Sequence, residues 1–399
     1  MKISAIVTGT LFSVSTLTLS NPVVAKDGEI VIGMAYAKTG WMEAYDGDGA
    51  KMAELWIERV NASGGIGGKK IKLLTADTKT DRVEAAKAGQ RLVSEGVDLL
   101  IVSADYDYGS PTALQGQKAG VVSVSLGAGD PKMGVVGIGP LVFTSAVAAQ
   151  LEGATMADWG IEKKGFKKGY ELIDDINEYS KSVCAGYKWA FGSKAKVVGS
   201  DSFKLTDAAV NAQVTRLAEA VKNDGVDNVM VCFSGTPAAS VIRQIRAAGI
   251  TIPIMSGTSM DGTYWVNSVP DLKDFYLPTS ALPQGDSRPE VNKITEAFKA
   301  KYGSVPSTQY PYPIYAWLDL WRKAVEATGT TDTKAVVTEL ETYSDVPTVL
   351  GLRSFSPKLH IQTRSPLLIT GYADGKQAFV EEWRIPTDIP AEVLYRTKK

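Results

Sequence analysis

Short apolar segments alternate with amphipathic segments along most of the chain, and this alternation restricts the fold more than any other feature. The segment 29–36 is typical of a strand, 47–61 of a helix with one apolar face, and 70–77 of a second strand. The same order continues through 82–125 and recurs from 145 to 256. Strand–helix–strand units form mainly parallel sheets covered by helices. Two such series predict an α/β protein with two similar, Rossmann-like lobes.

Beyond the second series the pattern changes. Helices are predicted at 288–302, 312–328 and 334–343, and strand patterning begins at Gly351. An Asp-Gly pair at 374–375, between two apolar runs, indicates a β-hairpin. A chain of 399 residues exceeds the usual size of one hydrophobic core, which also favours two domains.

The first 25 residues have the composition of a secretory signal peptide. Lys2 precedes an apolar, hydroxyl-rich stretch from Ala5 to Leu19, and small residues lead to Ala25. The apolar stretch is shorter than the roughly 20 residues that a membrane span needs. We therefore expect cleavage after Ala25, secretion of the mature chain, and no membrane insertion of it.

Two cysteines, Cys184 and Cys232, are present in the whole chain. In an oxidising compartment they can form a disulfide. They can equally be two separate buried thiols, because cysteine often serves as a small core residue. The sequence leaves both alternatives open.

Several functional classes are disfavoured by what the sequence contains. A net charge of −1 argues against a nucleic-acid partner, which calls for a basic surface. The single histidine, His360, is expected on the surface and is too little for most metal sites or His-based acid–base catalysis. The glycine-rich run 64–68 follows a helix and precedes a strand, the reverse of a phosphate loop. We predict a protein that is not an enzyme and needs no cofactor.

Ligands of open parallel sheets bind beyond the carboxyl ends of the strands, so the loops after the predicted strands hold the candidate site. In the run 105–111, Ser110 is predicted to cap a helix that begins at Pro111 and to leave amides free for an anionic group. The alternative is a helix cap with solvated tyrosines. Gly127 to Gly129 either approach a ligand closely or form an ordinary capped turn. Tyr310 and Tyr312, ahead of an aromatic helix, are further candidates.

Several motifs together resemble those of a known family, the type I periplasmic binding proteins of the leucine/isoleucine/valine-binding branch, which are the solute receptors of ABC importers. The resemblance runs from Ile30 to about Trp383. It rests on Ile57 to Ile71, Thr39-Gly40, Arg243 to Gly249, Ala297 to Gly303 with Pro306, and Val349 to Gly351.

This resemblance implies two lobes joined by three crossovers, near Phe143, Thr279 and Leu352. The N-terminal lobe is then expected to comprise 26–143 plus 280–351. The C-terminal lobe is expected to comprise 144–279 plus 352–399. A three-segment hinge of this kind lets the lobes close on a ligand.

The resemblance also implies ligand contacts at matching positions. They are the first-loop aromatic Tyr45, the third-strand loop with Asp107, Tyr108 and Ser110, the backbone of Gly127, Ala128 and Gly129, and Tyr179, Ser234 and Thr258 of the second lobe. Two positions depart from the family pattern. Gly129 stands where amino-acid binders often carry threonine, and Thr258 stands where they carry the ammonium-binding acid. Because a buried ammonium needs a carboxylate partner, either Asp261 or Asp107 supplies it, or the ligand is not an α-amino acid.

The expected function is that of a periplasmic substrate-binding protein. It would capture a small polar or aromatic solute, an amino acid or a related compound, and deliver it to the ABC permease. The alternative is a ligand-sensing receptor domain of the same fold that controls a regulator.

Overall fold

The computed structural model describes residues 28–397, apart from positions 205, 208, 236, 270, 271 and 374. The signal peptide predicted over 1–25 lies outside the described residues. Within them the chain forms two large sheets, each covered by helices, and a small two-stranded hairpin. We call the two sheets with their helices lobe 1 and lobe 2.

Lobe 1 is built on a parallel five-stranded sheet in the order β2-β1-β3-β4-β5. All four residues of its central strand β3 are buried, as expected of an apolar strand covered on both faces. The strands are β1 (Glu29–Tyr36), β2 (Lys70–Asp77), β3 (Leu99–Val102), β4 (Val122–Ser125) and β5 (Val142–Thr144). The helices are α1 (Glu43–Ala62), α2 (Arg82–Ser94), α3 (Tyr106–Ala119), α8 (Pro289–Tyr302), α9 (Pro311–Thr328) and α10 (Thr333–Leu340).

Lobe 2 is built on a seven-stranded sheet in the order β14-β13-β10-β9-β8-β6-β7. The five strands from β10 to β7 are parallel, whereas β13 and β14 add an antiparallel hairpin at one edge. The strands are β6 (Lys168–Asp174), β7 (Lys196–Phe203), β8 (Asn228–Cys232), β9 (Ile254–Ser256), β10 (Phe275–Thr279), β13 (Leu367–Ala373) and β14 (Lys376–Trp383). The helices are α4 (Ala149–Trp159), α5 (Glu178–Lys194), α6 (Asn211–Asp224), α7 (Ala238–Ala247) and α11 (Ala391–Leu394).

The chain passes between the lobes three times. It crosses from β5 to α4, from β10 to α8, and from α10 to β13. The third crossover carries the small hairpin of β11 (Val346–Thr348) and β12 (Gly351–Arg353). The predicted class is confirmed: an α/β protein with two lobes, mainly parallel sheets and a three-segment hinge. The predicted hairpin is also confirmed, because Ala373 pairs with Lys376 around positions 374–375.

The predicted start of α3 is wrong. The helix begins at Tyr106, five residues before Pro111, and its cap is Asp105. The Asp105 carboxylate accepts a hydrogen bond from the Asp107 amide at 2.7 Å, and its carbonyl accepts one from the Gly109 amide at 2.7 Å. A carboxylate that accepts a hydrogen bond from the amide of the second helical residue is a strong cap. Ser110 therefore lies inside the helix, and the anion-binding amides expected beside it are not present there.

The surface position expected for His360 is also wrong. Its side chain is buried and stacks on Phe143, with ring centroids 3.7 Å apart. Nδ1 lies 3.0 Å from the Val142 carbonyl, to which it donates, and Nε2 lies 3.1 Å from a Glu341 carboxylate oxygen. Burial lowers the pKa of His360. The polar sequence around this residue gives no sign that the segment packs beside the edge strand β5, where the His360 carbonyl accepts a hydrogen bond from the Thr144 amide at 3.2 Å.

Cys184 and Cys232 form a disulfide, which decides between the two alternatives left by the sequence. Both residues are buried, Cys184 on α5 and Cys232 at the end of β8. The cross-link therefore fixes α5 against the strand on which it packs. Close backbone contacts fix the other side of α5, because a β-carbon on Gly153 of α4 would lie 1.9 Å from the Val183 carbonyl oxygen.

Loss of this disulfide is expected to lower the free energy of unfolding by about 2–4 kcal/mol, because the cross-link restricts the unfolded chain. Denaturant titrations of the wild type with and without reductant, and of the Cys184→Ser/Cys232→Ser double variant, measure the loss. The double variant supplies the control, since reductant should leave its midpoint unchanged. Equal midpoints for the oxidised wild type and the double variant would contradict the assignment.

Candidate functional site

Two adjoining cavities lie between the lobes, at the carboxyl ends of the parallel strands. In lobe 1 the strand order reverses between β1 and β3, and in lobe 2 it reverses between β6 and β8. Loops that leave neighbouring strands in opposite directions open a crevice at such a point. The residues that follow these four strands supply most of the cavity walls.

The outer cavity has a volume of about 260 Å³. Residues of both lobes line it, and most of them are aromatic, polar or charged: Trp41, Arg82, Asp107, Tyr108, Asp174, Ile176, Asn177, Thr206, Ser234, Gly235 and Pro237. Arg82 forms an ion pair with Asp107, with an N–O distance of 2.8 Å, and its guanidinium lies 5.7 Å from the centre of the Tyr108 ring. Trp41 meets the same ring edge-on at 5.3 Å.

The inner cavity is smaller, about 20 Å³, and lies deeper between the lobes. It shares Trp41 and Ser234 with the outer cavity. Its other walls are Met42, Tyr45, Ala104, Asp105, Gly127, Tyr179, Ser259 and Tyr310. Among the described residues that line the two cavities, Arg82 is the only basic one, so the inner cavity is aromatic and acidic.

A buried carboxylate organises the lobe 1 wall. Asp46 accepts hydrogen bonds from the amides of Ala37 and Ala104, each at 2.7 Å. These amides follow β1 and β3, so one side chain joins the two loops at the point where the strand order reverses. Burial raises the pKa of Asp46 to about 6, and the two amide bonds oppose that increase.

Next to Asp46 on α1, Tyr45 reaches across the cleft. Its hydroxyl accepts a hydrogen bond from the Gly235 amide at 2.7 Å and lies 3.2 Å from the Ser259 carbonyl oxygen. The Tyr264 hydroxyl is also 3.2 Å away. The Tyr45 ring packs edge-on against Tyr310 at 5.5 Å. One hydroxyl from lobe 1 therefore meets backbone groups after both β8 and β9 of lobe 2.

A second buried carboxylate organises the lobe 2 wall. Glu152 accepts hydrogen bonds from the Tyr179 hydroxyl at 2.6 Å and from the Thr258 amide at 2.9 Å. The Tyr179 oxygen in turn accepts one from the Ser259 amide at 3.0 Å. A β-carbon at Gly257 would lie 2.4 Å from that oxygen, so glycine is needed for this approach. Burial raises the pKa of Glu152 to about 7.

Asp105 brings a carboxylate to the wall of the inner cavity. It accepts a hydrogen bond from the side-chain amide of Asn177, across the cleft, at 3.1 Å. Burial, and then the charge of Asp107, raise the pKa of Asp105 to about 7. Asp107 also bridges the lobes, because it accepts a hydrogen bond from the Glu178 amide at the start of α5, at 3.0 Å. The cleft is thus closed by direct hydrogen bonds between its two walls.

The comparison with known families agrees with this architecture of two α/β lobes, a three-segment hinge and a crevice between the lobes. The family model described as periplasmic binding protein matches residues 29–376. The chain belongs to that family. This family is the one that the sequence motifs resemble, and several of the relatives that the chain matches are Leu/Ile/Val-binding proteins.

Named relatives of this periplasmic binding protein are themselves solute-binding proteins. A Leu/Ile/Val-binding protein homolog from Brucella melitensis is 26% identical over 82% of this chain and 87% of its own. The Leu/Ile/Val-binding protein of Escherichia coli K12 is 22% identical over 86% of this chain and 90% of its own. The relatives confirm the prediction of a protein that is not an enzyme.

Solved structures share the fold at low identity. A branched-chain amino acid transporter substrate-binding protein from Streptococcus pneumoniae, in complex with isoleucine, superposes with a TM-score of 0.77 at 22% identity, over 90% of this chain and 100% of that one. A solute-binding protein from R. palustris, in complex with 4-hydroxybenzoate, gives 0.78 at 17% identity, over 92% and 100%. In the described part of the chain, no helix is both long and apolar enough to cross a membrane.

The structure brings seven of the twelve candidate residues to the cavity walls. Tyr45, Gly127, Tyr179, Ser234 and Tyr310 line the inner cavity, and Asp107, Tyr108 and Ser234 line the outer one. A β-carbon on Gly127 would lie 2.8 Å from the Tyr310 ring, so its place in the wall depends on being glycine. Tyr312 turns away from the cleft and bonds Thr295 within lobe 1.

The other five candidates do not line either cavity. Ser110 lies inside α3, and the Ala128 amide and carbonyl bond Ser125 and Thr144. The Thr258 hydroxyl donates to the Pro278 carbonyl at 2.9 Å. Asp261 accepts a hydrogen bond from Gln377 at 2.6 Å. Gly129 stands behind Tyr179, whose ring would lie 3.3 Å from an added β-carbon.

Sequence patterns missed several residues of the cleft. Trp41 lies in the loop after the first predicted strand, but no motif in the sequence marks it as a ligand contact. Arg82 and Asn177 come from two different lobes, and only the closed cleft brings them to one cavity. Glu152 occurs in a helix all of whose residues are buried, and no motif marks it as a partner of Tyr179.

Removal of the Tyr45 hydroxyl is expected to favour an open cleft, because Tyr45→Phe deletes the acceptor of the Gly235 amide at a cost of about 1 kcal/mol. Small-angle X-ray scattering of the ligand-free protein should then give a larger radius of gyration. Tyr312→Phe is the matched control, since it removes a buried hydroxyl bonded within lobe 1. Identical scattering from the two variants would contradict a role for Tyr45 in closure.

Proposed function

We propose that this periplasmic binding protein captures a small polar or aromatic solute, an amino acid or a related compound, between its lobes and delivers it to the permease of an ABC importer. The main observation in support is that residues of both lobes line one cleft, across which the Tyr45 hydroxyl accepts a hydrogen bond from the Gly235 amide. An outer cavity of about 260 Å³ suits a small molecule rather than a peptide.

Closure around a ligand requires that the ligand contact both walls, because only an interaction that differs between open and closed states shifts their populations. Trp41 and Tyr108 offer ring faces and edges on lobe 1. Ser234 and Asn177 offer hydrogen-bonding groups on lobe 2. A solute held by both sets would stabilise the closed form and exclude water from the cleft.

The charges of the cleft favour two ligand classes. An α-amino acid could place its ammonium at Asp105 and its carboxylate toward Arg82. An aromatic carboxylate could use Arg82 and the Trp41 and Tyr108 rings without using Asp105. Asp261 and Asp107 are less suited to an ammonium, because Asp261 lines neither cavity and Asp107 lines only the outer one, where it pairs with Arg82. The complexes of the structural neighbours with isoleucine and 4-hydroxybenzoate make both classes the first to test.

We further propose periplasmic location and the domain limits drawn from the sequence, 26–143 plus 280–351 and 144–279 plus 352–399. The predicted signal peptide and the disulfide support export to an oxidising compartment. The sheet memberships support the first two crossover points, since β5 ends at residue 144, one residue past the limit, and β10 ends at residue 279.

Calorimetric titration with aliphatic amino acids, aromatic amino acids and benzoates tests the proposal. Binding of one class with a 1:1 stoichiometry is the expected result. Arg82→Gln should weaken either class, whereas Asp105→Asn should weaken amino acids at least tenfold, about 1.4 kcal/mol, and leave benzoates unchanged. Asparagine is a good helix cap, so Asp105→Asn preserves the start of α3. If neither substitution changed the affinity of a bound ligand, the cleft assignment would be wrong.

An amino-acid ligand also predicts a pH dependence. Asp105 has a pKa of about 7, so the carboxyl group is mostly neutral at pH 6 and mostly ionised at pH 8. Affinity for the ammonium group should therefore rise about tenfold between those values, since only the ionised form attracts it. Asp105→Asn should abolish that rise. A flat profile in the wild type would exclude Asp105 as the ammonium partner.

A further inference from the structure

The hinge contains a buried guanidinium group that lies outside the two cavities of the ligand cleft. Arg353 ends β12 in the third crossover and is only 3% exposed. Its Nε and Nη1 atoms have no hydrogen-bond partner among the described residues. Buried charges in proteins are normally paired, because desolvation of an isolated ion is very unfavourable. This residue therefore needs an explanation.

The neighbours of Arg353 do not supply a negative charge. A small cavity adjoins it, and none of the lining residues is acidic: Ser145, Pro313, Ala316, Trp317, Leu320, Phe355 and Gln362. Burial lowers the pKa of Arg353 to about 10, and the positive charge of Arg288 adds to this effect. Arg288 is itself paired with Asp286.

The cavity offers donors that need an acceptor. Trp317 lines it, and the Trp317 Nε1 atom is also buried without a partner. The polar neighbours are already engaged: Ser145 donates to the Leu126 carbonyl at 2.7 Å. Gln362 both accepts from the Ser354 amide and donates to the Ser354 carbonyl. Among the described residues that line the cavity, Arg353 and Trp317 are therefore the ones with buried N–H donors that lack a partner, and Arg353 also carries a positive charge.

We propose that this cavity is a binding site for a monatomic anion, of which chloride is the most abundant candidate. Its volume of about 10 Å³ has room for one particle the size of a water molecule or a small ion. A water molecule could accept from two donors but would leave the charge of Arg353 uncompensated. An anion accepts from Arg353 and Trp317 and neutralises that charge.

The site would join parts of the hinge to lobe 1. Ser145 belongs to the first crossover, Arg353, Phe355 and Gln362 belong to the third, and Trp317 belongs to α9 of lobe 1. A bound anion therefore stabilises the packing of two crossovers against a helix. This inference does not depend on the solute that the cleft binds.

Thermal denaturation of the full mature chain in sodium chloride and in sodium gluconate, at equal ionic strength, tests the site. Chloride should raise the melting temperature by about 3 °C, with a rise that follows the logarithm of its concentration. Arg353→Met should abolish the difference between the two salts. Arg364→Gln, which changes an exposed arginine paired with Asp388, is the control and should retain it.

Two further measurements keep the test decisive if Arg353→Met does not fold. Trp317→Phe removes one donor while keeping an aromatic ring, so it should shift the chloride dependence to higher concentration. Crystals grown in sodium bromide should show an anomalous peak beside Arg353. Equal melting temperatures of the wild type in both salts, with no anomalous peak, would overturn the proposal and indicate a buried water only.

Discussion

The hydrogen bonds from the Ala37 and Ala104 amides to the buried Asp46 carboxylate are the constraint on which the cleft depends. They join the loops after β1 and β3, where the strand order of lobe 1 reverses. Tyr45 precedes Asp46 on the same helix, so the position of its hydroxyl follows from this attachment. That hydroxyl then meets the Gly235 amide of lobe 2. A change at Asp46 would therefore alter the cleft without touching a ligand.

Lobe 2 reaches an equivalent result by different means. The disulfide between α5 and β8, and the close approach of α4 to α5 at Gly153, fix the helix that carries Tyr179. Glu152 and Gly257 then orient the Tyr179 hydroxyl toward the Ser259 amide. Both walls thus rely on a buried carboxyl group whose pKa is raised by burial. Such groups lower stability unless hydrogen-bonded, and here each accepts bonds that position the site.

The acidic groups of the cleft lie at positions that differ from those of the family pattern, so that pattern does not identify the ligand. The acid expected near Thr258 is absent at that position, but Asp105 brings a carboxylate to the inner cavity from lobe 1 and Glu152 lies beneath the Tyr179 hydroxyl. Gly129, in place of a threonine, makes room for the Tyr179 ring. These changes are coupled in space but are scattered in sequence. The groups that line this cleft are therefore set by packing between distant segments rather than by one motif.

The sequence by itself determined the fold class, most of the helices and strands, and the loops in which the cleft residues occur. Alternating strand and helix patterns report burial along one element, and strand ends identify the edge of a parallel sheet where ligands bind. Tertiary structure alone decided that Asp105 rather than Ser110 caps α3, that His360 is buried against Phe143, and that the two cysteines pair. It also decided which loop residues face one another, as Tyr45 and Gly235 do across 190 positions of sequence. Periodicity carries no information on such contacts, because they depend on how separate elements are placed in space.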